Sequence, residues 1–139
     1  MNDRPFYDKL ENELFLNGGF TYDPHFGLLT DSPESREHFK RYIVGIRKLA
    51  TLTCDITDRH LRDWINEANR ESLYLGAWLD ESTGIRHWDF VLDFEHIDIA
   101  RIAAKNNNEL AIYDSHTGES LPVPSSALPD PIALSRNKA

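Results

Sequence analysis

A single cysteine in 139 residues closes off several chemistries at once. Cys54 alone permits no internal disulfide and no cysteine-based zinc cage. Its neighbour Asp55 would oppose a thiolate, so Cys54 is expected as a small, half-buried residue and not as a nucleophile. Long apolar runs are also missing. Nothing approaches the roughly 18 apolar residues of a membrane span, and MNDRPFYDKLENELF lacks the basic start and apolar core of a secretory signal. A cytoplasmic protein is expected. Positive charge is scarce too: Lys and Arg total 15 against 23 Asp and Glu, for a net charge of −8. That balance disfavours binding to a phosphate backbone, which rests on clustered cations. From Asp55 to Asp114 thirteen acids face only six bases, so most of the excess negative charge lies on that segment. Acidic surfaces also serve solubility alone. Finally, there is no Gly-rich phosphate loop, no G-x-S-x-G elbow and no Cys–His pair, so no catalytic residue and no cofactor is expected and an enzyme is the weaker class.

What is present is enough apolar and aromatic sequence for one ordinary core, and a single domain is expected over residues 1–123. Residues 1–40 read as an N-terminal extension. Phe6, Leu10, Leu14 and Phe15 fall at roughly helical spacing, Asn17-Gly18-Gly19 stops them, and Phe20 and Tyr22 mark a short strand before the Asp23-Pro24 turn. Ser32-Pro33 opens a turn or two of helix. The core, 41–123, begins with the strand RYIVGI. A helix capped by Thr57 carries Leu61, Trp64, Ile65 and Ala68 on one stripe. A hairpin turns at Glu81-Ser82-Thr83-Gly84. A second helix over His96–Asn106 should bury Ile99, Ile102 and Ala103, with Ile97, Ala100 and Ala104 widening the arc. ELAIYD is a further strand and SLPVP a short edge strand limited by Pro122. Residues 124–139, with Pro124, Pro129 and Pro131, form a proline-rich tail. Strand, helix, strand, strand, helix, strand is the order of a ferredoxin-like βαββαβ unit. The expected fold is therefore α+β, an antiparallel sheet with two helices on one face and the other face open.

The hairpin SLYLGAWLDESTGIRHWDFVLDFE specifies its own register. With Asp80 opposite Ile85, Ala77 lies across from Trp88, Leu75 from Phe90 and Leu73 from Leu92, a uniformly apolar face. A slip of one residue would bury Asp89 and Asp93. The other face then presents Tyr74, Trp78 and Val91 with His87, Asp89 and Asp93, and with Asp80 and Glu81 at the turn. Exposed aromatics among charges have the composition of a protein-binding surface. The alternative is that Phe6, Phe15 and Phe20 fold over this face and make it a second small core. Base stacking of single-stranded nucleic acid would need Arg and Lys where this face has Asp. His87, Asp89 and Asp93 share a face in a strand and could line up as metal ligands, but one His is too few for a confident site, and no metal is expected.

GGFTYDPHFG (Gly18 to Pro24 within it), GAWLDESTGIRHWD (Gly76 to Asp89) and LAIYDSHTG (Leu110 to Gly118) together resemble a group of small proteins carried on plasmids, prophages and other mobile elements of actinobacteria. The group shows a GGFT-x-x-P opening, a GaW-D-x-x-TG hairpin and an A-x-Y/F-D-x-x-TG turn. This chain departs from it by a longer segment between Asp31 and Ile46 and by its tail. The resemblance implies interaction proteins aimed at host defence, such as anti-CRISPR or anti-restriction inhibitors that place carboxylates where DNA phosphates would sit. The function expected is a non-enzymatic, acidic counter-defence inhibitor, a DNA mimic that occupies a basic groove of a host nuclease complex. It would contact that protein partner through Tyr74, Trp78, Asp80, Glu81, His87, Asp89 and Asp93, without binding nucleic acid or membrane itself. The alternatives are a homodimeric accessory of the mobile element, joined through the open sheet face, and a small metal-dependent hydrolase.

Overall fold

The computed structural model describes residues 4–30, 32–54 and 56–123. In chain order the elements are α1 (Arg4–Asn17), β1 (Gly19–Asp23), β2 (Gly27–Leu28), α2 (Pro33–His38), β3 (Tyr42–Leu52), α3 (Asp58–Glu71), β4 (Tyr74–Asp80), β5 (Ile85–Phe94), α4 (Ile97–Asn106), β6 (Ala111–Asp114) and β7 (Glu119–Pro122). The fold is α+β. Its seven strands form one antiparallel sheet in the order β2-β1-β4-β5-β3-β6-β7, larger than the four strands of a simple βαββαβ unit: β1 and β2 add to one edge, and β7, the edge strand expected at SLPVP, to the other. Among the described residues no helix is long and apolar enough to cross a membrane. The proline-rich tail read at 124–139 lies outside the described residues.

The described chain divides into two compact units, residues 4–39 with 47–91, and residues 40–46 with 92–123. In the first, α1 buries Tyr7, Leu10 and Leu14, and α3 buries Leu61 and Ala68, as their spacing dictates. Ser32 and Thr57 cap α2 and α3 by accepting the Ser35 and His60 amides at 3.0 and 3.2 Å. Phe20 and Trp64 pack on the buried Trp88 ring, at 5.7 and 5.6 Å between centroids. β1 pairs with β4 through Gly19↔Trp78, Phe20↔Ala77 and Tyr22↔Leu75. The Gly18-Gly19 pair makes that approach possible. Gly18 has φ +80, and a Cβ on Gly19 would sit 2.7 Å from the Ala77 carbonyl oxygen.

In the second unit, Val44, Ala100, Ala104 and Ile112 form a buried cluster against which Tyr42, Phe94, Ile97, Ala103, Leu121 and Val123 pack. One expectation for α4 is corrected here: Ile99 and Ile102 are 51% and 58% exposed, and the alanines take their place in the core. A helix apolar on so many sides can be seated in more than one rotation, and close approach of its backbone to the sheet selects the small residues. Cys54 is exposed, not half-buried, in the bend that follows β3.

Three hairpins turn on the same five-residue pattern, Asp-x-x-x-Gly. In each, the aspartate accepts the amide of the residue two on: His25 on Asp23 at 2.8 Å, Ser82 on Asp80 at 3.1 Å and His116 on Asp114 at 3.0 Å. Gly27, Gly84 and Gly118 close the turns at φ +126, +74 and +76. The three aspartates differ in what else holds them. Asp80 faces solvent, where the Ser82 hydroxyl and amide keep its carboxyl below the usual range. Asp23 is buried and lies 2.7 Å from His38 Nε2. Asp114 is buried and takes both arms of Arg41, at 3.0 and 2.9 Å.

Candidate binding face on the β4–β5 hairpin

The hairpin pairs Tyr74↔Val91, Gly76↔Asp89, Trp78↔His87 and Asp80↔Ile85, the register that its turn and alternation dictate. The inner face holds Leu75, Ala77, Trp88 and Phe90. Arg47 lies over the Phe90 ring at 4.8 Å and reaches Glu67 and Glu71 of α3 at 3.0 and 3.1 Å.

The outer face is not uniformly open. Near the turn it is exposed: Trp78 is 42% accessible and lies flat against His87, ring centroids 4.1 Å apart and planes 8° from parallel, with Asp80 and Glu81 beside them in sequence at the turn. Towards the other end it is closed. Val91 and Asp89 are buried, and Tyr74 is half-buried beneath Phe39, whose ring meets it edge-on at 5.0 Å. The exposure expected for Asp89 and Val91 is thereby corrected. The phenylalanines proposed as a cover do not lie there either. Phe20 is on the inner face against Trp88, Phe6 packs on Tyr22, and Phe15 lies under Arg86. The residue on Tyr74 is Phe39, which follows α2 and carries no periodic signal in sequence. Asp93 belongs to the second unit, where it accepts the Lys40 amide at 2.7 Å.

Asp89 is the unusual group. It is 6% exposed, and its Oδ1 is buried with no hydrogen-bond partner among the described residues. Gly76 opposite offers no side chain to meet it. Burial pushes its carboxyl up to about 6, and the positive charge of Lys48 on β3 offsets only part of this. The same burial, followed by Lys48, lowers His87, against an opposing pull from Asp80. Lys48 thus belongs to this face although sequence reading stopped the strand at Ile46; the alternation of β3 continued to Leu52 would have pointed to it.

The arrangement offers two flat rings, carboxylates at the turn and a buried acid without a donor. Among the described residues no three His, Cys, Asp or Glu side chains come together as a metal-holding group. No family model, curated protein or solved structure matches the chain.

Proposed function

We propose that this is a non-enzymatic interaction protein that docks through the turn end of the β4–β5 hairpin onto a basic, nucleic-acid-binding protein. Asp89 carries the reading. A carboxylate kept buried without a donor lowers stability at neutral pH, and such costs concentrate at functional sites. The exposed Trp78, stacked on the half-buried His87 beside it, supplies the aromatic anchor that dominates interface energies, and Asp80 and Glu81 supply complementary charge. The net charge of −8 favours a cationic partner and speeds encounter with it. Together with the resemblance to mobile-element proteins, this supports a counter-defence inhibitor acting in the cytoplasm of a bacterial host, with carboxylates standing in for nucleic-acid phosphates. The order β4-β5-β3-β6 at the centre of the sheet supports reading the core as a ferredoxin-like unit with additions at both edges. A homodimer joined through this sheet face is the weaker reading, since Phe39 already covers its Tyr74 end.

The test is a capture experiment from bacterial lysate with the tagged wild type and the Trp78→Ala/Asp80→Lys/Glu81→Lys variant, eluted in turn with salt and with a DNA duplex. The expected result is a captured nucleic-acid-binding protein that DNA displaces and that the folded variant fails to retain. Equal capture by both would remove the hairpin from the interface. Capture unaffected by DNA would contradict mimicry.

A further inference from the structure

We infer that the outer face of α4 is a self-association surface, where a second copy of this chain packs antiparallel through Ile99 and Ile102. The inference stands apart from the hairpin reading and rests on other residues. Ala100 and Ala104 turn inward onto Val44 and Ile112, so the helix is already seated, and the two isoleucines three apart are left on the outside. Scattered exposed apolar residues need no explanation, but two neighbours on one short helix form a stripe. Leu110, four residues after the helix, is exposed as well.

Charge selects the occupant. Acids sit at the start of the helix, Glu95 and Asp98, and bases lie towards its end, Arg101 and Lys105, all exposed. This polarity suits the helix dipole of a single chain. It is also self-complementary: an antiparallel second copy brings its Arg101 and Lys105 over Glu95 and Asp98, and the reverse, with the isoleucines of both copies between. The internal Asp98–Arg101 pair, 3.7 Å apart and well exposed, is loose enough to exchange partners. Two-fold contacts of this kind are isologous, with the same patch used on each copy. The stripe is small, so the dimer belongs to the weak, transient class.

The measurement is sedimentation equilibrium of the full chain from about 10 to 500 μM, a range suited to weak interfaces. A reversible dimer is expected, roughly tenfold or more weakened by Ile102→Gln and unaffected by Trp78→Ala. The decisive arm uses Asp98→Lys and Lys105→Glu. Each alone places like charges across the interface and should remain monomeric, whereas an equimolar mixture restores both pairs and should associate. Simple damage to the helix would not be repaired by mixing. A wild type that stays monomeric throughout, as it would if another segment of the chain occupied α4, overturns the inference. So does a dimer insensitive to the α4 variants, or one that Trp78→Ala dissociates.

Discussion

Asp89 in the middle of β5 and Asp114 at the end of β6 are both shut away from water, 6% and 3% exposed, yet their carboxyls move in opposite directions. Asp114 falls to about 2, held first by the Arg41 guanidinium and then by the amides of His116 and Thr117. Asp89 rises to about 6, because burial disfavours its charged form and no donor to its buried oxygen offsets that. Burial raises both carboxyls, and only at Asp114 do donors outweigh it. Partners decide the outcome: a buried charge that is fully hydrogen-bonded stabilises the fold, and one that is not weakens it. Asp114 is therefore a turn residue clamped to the chain before β3, whereas Asp89 is a buried carboxyl whose ionisation works against the fold.

The largest way to break the comparison is Asp114→Ala, which removes four acceptor contacts and leaves the Arg41 fork without its carboxylate. A loss of about 2–3 kcal/mol in urea unfolding at pH 7 is expected. Next is Asp89→Asn, with the opposite sign. A folded-state value of about 6 against an ordinary 3.8 means that the native state holds its proton longer, so stability falls as pH rises between about 4 and 6. Asn cannot ionise and should gain roughly 2 kcal/mol over the wild type at pH 7.5 and little at pH 4. The Asp114 contribution runs the other way, complete above about pH 4 and lost as pH falls towards 2. In the wild type the two groups together place their best stability near pH 4, and a urea midpoint measured across pH reads both slopes. The smallest effect belongs to Asp80→Ala. The turn sequence matches that at Asp114, but the carboxylate is in solvent and held only by Ser82 and Thr83 of its own turn, so the smallest change of the three in urea unfolding, a loss, is expected. A loss as large as that at Asp114 would mean that the turn motif, not the Arg41 clamp, sets the energetics.

How far sequence reaches follows the same division between local and tertiary causes. The β4–β5 register was legible because a D-x-x-T-G turn fixes one end and a period-two apolar pattern fixes the face. Nothing outside the hairpin is needed. The seating of α4 was not, because its isoleucines and alanines alternate around the helix and only packing against Val44 and Ile112 chooses between them. The burial of Asp89 was equally hidden. Its position facing Gly76 could be read from the pairing, but closure of that end of the face involves Phe39, distant in sequence and lacking any pattern that places it on Tyr74. The Trp78–His87 stack, by contrast, follows directly from the alternation, which sets the two rings opposite each other, with Asp80 two residues on at the turn.

A carbon-13 NMR titration of the aspartate side-chain carboxyls tests the central claim most directly. The account predicts that Asp89 titrates near 6, with the Trp78 and His87 ring signals moving in step, while Asp114 stays ionised until pH approaches 2. An Asp89 midpoint at or below 4 would show that its charge is matched within the folded protein, and the hairpin would lose the observation that singles it out as the binding face.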